Sequence, residues 1–204
     1  MVNKESDVQP ERMATRNEGK IKELQELLQG LDAEILIPGQ LGLNLVIAER
    51  GETYLENAAK KAAVYAAESK LLSLADDSGL EVNALGGAPG IYSARYSPKA
   101  GADDKDRRDY LLEQLQDQPK PWTATFHCTV VLATPVGETQ FAIGECHGEI
   151  VPEERGAGGF GYDPIFMVSN LGKTMAELTM VEKNQVSHRS LAIKAVWPIL
   201  TAHL

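Results

Sequence analysis

Asp76 and Asp77 are adjacent carboxylates that follow a short apolar run, Leu71–Ala75, and precede Ser78-Gly79. Paired carboxylates at a strand end suit Mg²⁺, a hard cation that takes oxygen ligands and keeps several waters. Such a metal neutralises phosphate charge and helps activate water. Glu49, upstream in the chain, offers a further oxygen. The same Asp-Ser-Gly letters also spell an ordinary turn, a reading that the apolar run weakens.

Cations and a helix start complement these acids. Ala14-Thr15-Arg16-Asn17-Glu18-Gly19-Lys20 lies where a helix begins. A helix N-terminus presents unpaired N–H groups and partial positive charge. Thr15, Asn17 and Lys20 add a hydroxyl, an amide and a full charge, which together suit a triphosphate tail; taken alone, the segment reads as an N-cap by Asn17. Asn57 and Lys61 are four apart and share a helix face. Lys61 there can reach phosphate or orient a carboxylate, or be a solvated surface lysine.

Gly158-Gly159-Phe160-Gly161-Tyr162-Asp163-Pro164 flanks an aromatic ring with glycines. Phe160 can stack on a base, worth ~1–3 kcal/mol in readers of single strands, or plug the core. Asp163 can accept hydrogen bonds from a base edge. Lys183 and Ser187-His188-Arg189 supply donors. Lysine and arginine only donate, so they suit a purine with a 6-carbonyl and poorly suit adenine.

The elements that must position these residues follow from periodicity. A helix is expected from Asn17 to Gln29, with Ile21, Leu24 and Leu28 inward and Gly30 as the stop. Leu45–Ala48 reads as a short strand. Thr53 and Glu56 have capping-box spacing before a helix that runs to about Ser69. Residues Leu80–Gly101 read as loop, and Asp103–Gln116 as a charged helix. Ala124–Ala133 and Thr139–Ile150 read as a hairpin. A final helix runs from Ser187 toward Leu204, with Pro198 expected to kink it or end its regular part. Strands mixed with helices give an α/β class with a mixed sheet.

Three patterns are decoys. Gly172-Lys173-Thr174 lacks the earlier glycine of a P-loop, since Met167 stands there. Gly156-x-Gly158-x-x-Gly161 should open a helix, but Pro164 follows it. Cys128 and Cys146 each adjoin a histidine, His127 and His147, but neighbours on a strand point to opposite faces. Two buried free thiols are expected instead of a zinc site.

Composition bounds the remaining classes. The 204 residues are 43% hydrophobic and 24% charged, with net charge −9, as in a globular domain. An acidic chain repels phosphate backbones, so nucleic acid is not an expected partner. No apolar run nears the roughly 18 residues of a membrane span, and Met1–Arg12 has no apolar signal region. Membrane partners are therefore not expected, and the chain reads as cytoplasmic.

Jointly, the motifs resemble the inosine triphosphate pyrophosphatases, the dITP/XTP pyrophosphatase family. The resemblance runs from Ala14 to the final helix. It includes Gly86-Gly87-Ala88-Pro89-Gly90-Ile91-Tyr92-Ser93-Ala94-Arg95 besides the segments above. It implies a long, curved central mixed sheet with packed helices, in two lobes flanking a cleft, as one domain over residues 14–204. It implies a homodimer, a Mg²⁺ cofactor, and hydrolysis of ITP, dITP and XTP to monophosphate and pyrophosphate.

By resemblance, the 15–20 segment binds phosphates, namely Thr15, Arg16, Asn17, Glu18, Gly19 and Lys20. Lys61 works nearby, Asp77 is the general base, and Asp77, Glu49 and Asp76 hold the metal. Ser78 contacts substrate. Phe160, Gly161, Tyr162, Asp163, Lys183, His188 and Arg189 form the base pocket. One stretch departs from the family: residues 1–13 are polar, carry Pro10 where an inner strand is expected, and are expected to be partly disordered. Two other readings stay open, a pyrophosphatase for other modified nucleotides and an inactive nucleotide-binding relative.

Overall fold

The computed structural model of the protein describes residues 11–13, 17–43 and 45–203, the first three by backbone alone. The strands are β1 (Glu11–Met13), β2 (Ile35–Leu36), β3 (Ser73–Val82), β4 (Pro89–Gly90), β5 (Thr123–Ala133), β6 (Thr139–Ile150) and β7 (Phe166–Val168). The helices are α1 (Glu18–Leu27), α2 (Tyr54–Ser69), α3 (Asp104–Leu115), α4 (Met180–Val186) and α5 (His188–Thr201). They form one mixed sheet in the order β2-β1-β3-β5-β6-β7, with β4 on β3. β1 runs parallel to β2 and β3; the other pairs are antiparallel. The α/β mixed sheet expected from the sequence is present.

The polar start of the chain is described only in part: residues 1–10, where partial disorder is expected, lie outside the described residues, and 11–13 form a strand inside the sheet. Strand pairing on both sides supplies what the polar letters do not.

β3 corrects an expectation. The acidic pair does not end a strand: β3 runs through it to Val82, pairing with β5 from Ser73↔Ala133 to Val82↔Ala124. Ten cross-strand positions outweigh the turn preference of Asp, Ser and Gly. The stretch after Leu80 is accordingly strand at first, and β4 then returns against it, Leu80↔Gly90. Leu45–Ala48, by contrast, is not a strand; it belongs to an irregular strap running to Glu52.

The apolar core divides along β3. At its start, α1 and α5 cover one face through Leu24, Leu28, Leu74, Val130, Ile193 and Val196. α2 covers the other face through Ala58, Ala62, Ala66, Ala75 and Val131. The small residues of α2 let it lie close to the sheet. Toward the end of β3, Leu80, Val82, Leu111, Leu115, Phe126, Ile150 and Phe166 form a separate cluster under α3. Asp76 to Gly79 fall between these clusters. β1 leaves β3 at Leu74 and β4 joins at Leu80, on either side of these residues.

Caps fix the helices. Asn17, Thr53, Asp103, Thr179 and Ser187 each accept a backbone N–H at a helix start. The reciprocal arm expected at α2 differs: Glu56 accepts from Glu52 N–H, which fastens the strap. α5 continues through Pro198 to Thr201. α4, only seven residues long, has too few turns for its periodicity to show in the sequence.

Candidate active site

A cleft of about 370 Å³ opens at the middle of β3. Alternation along the strand sends Asp76 and Ser78 toward α1 and α5, and Asp77 toward α2. Asp77 Oδ2 accepts from Asn57 Nδ2 at 3.1 Å, and Oδ1 lies 3.6 Å from Lys61 Nζ. Burial raises the Asp77 pKa; Lys61 and Lys20 pull against it, and Glu49 adds to it. Lys61 Nζ also reaches Glu49 Oε1 and the carbonyl of Asp76, both at 2.7 Å. Burial works against the charge of Lys61, but Asp77, Asp76 and Glu49 outweigh it and hold the ammonium above its usual range.

Asp76 has a different place from its neighbour. It is 1% exposed and is absent from the cleft wall. Its Oδ2 meets Lys20 Nζ at 2.9 Å and Arg189 at 3.3 Å. Burial opposes its ionisation, yet Lys20 and Arg189 keep its pKa well below the carboxylate range. The structure thus places Asp76, expected as a metal ligand, off the cleft wall, with Oδ2 between two cations and Oδ1 buried without a partner, because adjacent residues on a strand point to opposite faces.

That anchor belongs to a longer ion network. Lys183 Nζ touches Asp163 Oδ2 at 2.6 Å and Glu23 Oε1 at 2.7 Å, and Arg189 pairs with Glu23 and donates to Ser78 Oγ at 3.1 Å. Three acids and three bases thus run from Asp163 to Lys20. Removing one member would strand a buried charge. Glu23 was not singled out from sequence. Its signal was an acid on the inward stripe of α1, beside Leu24.

The residues expected to form the base pocket gather around Phe160. Phe160 lines the cleft with its ring on the first turn of α1, where a Cβ at Gly19 would sit 2.5 Å from it. Lys183 and Arg189 lie 5.3 and 5.7 Å from the ring centroid. Asp163 accepts from Phe160 N–H at 2.9 Å, so it anchors the glycine loop. α3 holds the same loop through Asp104, which accepts from Gly161 N–H. Tyr162 donates to Ser93 carbonyl. His188 stacks on Phe126, and burial drives its pKa well below the usual value, so it is neutral at physiological pH.

Of the expected site residues, Asn17, Lys20, Glu49, Lys61, Asp77, Ser78, Phe160, Gly161, Tyr162, Asp163, Lys183, His188 and Arg189 line the one cleft. Gly19 lies under the Phe160 ring, and Glu18 is exposed and off the wall. Thr15 and Arg16 lie outside the described residues. Sequence reasoning missed wall residues Tyr65, Ser93 and Arg107, and the apolar lip Leu45–Ile47. The hairpin registers place Cys128 and Cys146 in the core as free thiols, as expected.

One cleft thus brings together acids, lysines, an aromatic ring and arginines, the groups of a polar small-molecule site. The Ham1 family model matches residues 12–199, and the chain belongs to that family. It is 47% identical over 182 residues to a dITP/XTP pyrophosphatase of Geobacter sulfurreducens, covering 89% of this chain and 91% of that one. It is 41% identical over 190 residues to a dITP/XTP pyrophosphatase of Bacillus subtilis, covering 93% and 96%. Among solved structures, the Ham1 protein of Coxiella burnetii superposes with TM-score 0.85 at 39% identity, covering 95% of this chain and 100% of that one. The Staphylococcus aureus Ham1 protein superposes with TM-score 0.84 at 37% identity, covering 96% and 100%.

Proposed function

We propose that this protein hydrolyses deaminated purine nucleoside triphosphates, ITP, dITP and XTP, to the monophosphate and pyrophosphate, with Mg²⁺ as cofactor. The observation that carries the reading is the placing of Asp77, Lys61 and Lys20 on the wall of the cleft that also holds Phe160 and the Lys183–Arg189 donors. The names of the relatives support the substrate class.

The substrate brings about four negative charges, which Lys20, Lys61 and the α1 N-terminus offset. Phe160 offers its face to the base. Asp77 takes a proton from the water whose oxygen bonds to phosphorus, as the bond to the pyrophosphate oxygen breaks and the electron pair leaves with it. Its raised pKa makes it a better proton acceptor than an exposed aspartate.

Glu49 and Asp77 fit Mg²⁺: both line the cleft, both offer hard oxygens, and both face the same ammonium, Lys61 Nζ lying 2.7 Å from Glu49 and 3.6 Å from Asp77. When bound, the ion would neutralise phosphate charge and assist departure of pyrophosphate. Base selectivity comes from Lys183 and Arg189, which only donate hydrogen bonds and so favour a 6-carbonyl over a 6-amino group. A homodimer is part of the proposal, supported by Phe141 and Ile143, 51% and 47% exposed on β6.

The test is pyrophosphate release from ITP, XTP, GTP, dUTP and TTP, with and without Mg²⁺. Preference for ITP and XTP that needs the metal is the expected result. Turnover favouring dUTP or TTP would reassign the substrate, and release of nothing from any of them would leave a binder.

A further inference from the structure

We propose that Asn57 is a positioning residue, which fixes the carboxylate of Asp77 and ties it to the strap 45–52 through a two-ended amide clamp. The inference rests on the reading of Asp77 as proton acceptor.

The geometry leaves the amide one orientation. Gly51 N–H lies 2.8 Å from Asn57 and only donates, so the atom facing it is the carbonyl oxygen Oδ1. The NH₂ group therefore faces Asp77 Oδ2, at 3.1 Å. Flipping the amide would set donor against donor at one end and acceptor against acceptor at the other. Asn57 is 1% exposed, so water does not stand in for either partner. With Oδ2 held, Oδ1 is the oxygen that Lys61 faces.

Asn57 and Lys61, one turn apart on α2, make two parallel rungs between strap and strand. Asn57 joins Gly51 to Asp77, and Lys61 joins Glu49 to the Asp76 carbonyl. The strap has no strand pairing of its own; bonds from Lys60 to Ala48 and from Glu52 to Glu56 fasten it to α2, and these two rungs tie it onward to β3, fixing Glu49 relative to Asp77. Gly51 is part of the device. A Cβ there would lie 2.8 Å from Asn57 Oδ1 and 2.8 Å from Glu56 Cβ. A side chain at 51 would push the strap off the amide.

The clamp is tested from both ends with Asn57→Leu and Gly51→Ala. Each is expected to lower kcat for ITP by ~10–100-fold, the usual cost of removing a group that orients a reacting one, with KM nearly unchanged because the phosphate contacts remain. The Gly51 amide should be protected from hydrogen exchange in the parent chain and exposed in Asn57→Leu, whatever the turnover. Parent-level kcat in either variant, a loss confined to KM, or an unprotected Gly51 amide in the parent overturns the clamp. If Asn57→Leu does not fold, Gly51→Ala decides. Asp77→Asn is assayed alongside: if it is dead while the clamp variants work normally, only the clamp falls, and if it is fully active, both readings fall.

Discussion

At the scale of single residues, adjacency in sequence misleads about chemistry. Asp76 and Asp77 look interchangeable as letters, but one is an anchor for Lys20 and Arg189 and the other faces the cleft. Asp77→Asn keeps the size and the buried setting but removes the proton acceptor. It should lower ITP turnover by on the order of 10²–10⁴-fold while the unfolding midpoint stays close to the parent's; assay of pyrophosphate release checks this, and full activity would remove Asp77 from the base role. The thiols are a second case. Burial pushes Cys128 up to about 12 and Cys146 up to about 11. The reactive thiolate is therefore scarce at neutral pH. Thiol titration of the folded protein should find neither cysteine reactive, and both should react in denaturant. Rapid labelling of the native chain would contradict their placement.

At the scale of elements, backbone contact decides where side-chain patterns are silent. α5 lies directly on β6: a Cβ at Gly144 would stand 2.1 Å from His188 carbonyl oxygen and 2.3 Å from Ala192 nitrogen. These are backbone atoms and cannot swing aside. Gly144→Ala should destabilise the fold by roughly 1–3 kcal/mol, the range of overpacked cores, read from the midpoint shift in urea at unchanged slope. Parent-like stability would mean that helix and strand separate more easily than this packing implies. Long capped helices, α1, α2, α3 and α5, are legible within a few residues. β3 was truncated in the reading because Asp, Ser and Gly favour turns locally, while ten paired positions on β5 override them. Leu45–Ala48 had strand letters and no strand partner, so it became the lip of the cleft.

At the scale of the molecule, the chain carries net charge −9 yet keeps three lysines and two arginines around one cleft. The network from Asp163 to Lys20 is neutral in itself, and Lys61 faces two acids, Glu49 and Asp77, so beyond the local contacts of the two lysines the α1 N-terminus and the proposed Mg²⁺ must offset the substrate's charge. The proposed dimer predicts a mass of twice 22.2 kDa by sedimentation equilibrium; a species of 22.2 kDa at all concentrations would discard it. No helix among the described residues is long and apolar enough to cross a membrane. The sequence by itself determined the residue types of the chemistry, the capped helices, the hairpin and the family, because these depend on local spacing and on motifs in fixed order. Only the tertiary structure decided which acid faces the cleft, that Glu23 completes the ion network, and that Asn57 ties the strap to Asp77. The reason is physical: direction on a strand follows from pairing, and burial of a polar group is settled by partners more than a hundred residues away, as Arg189 is from Asp76 and Glu23.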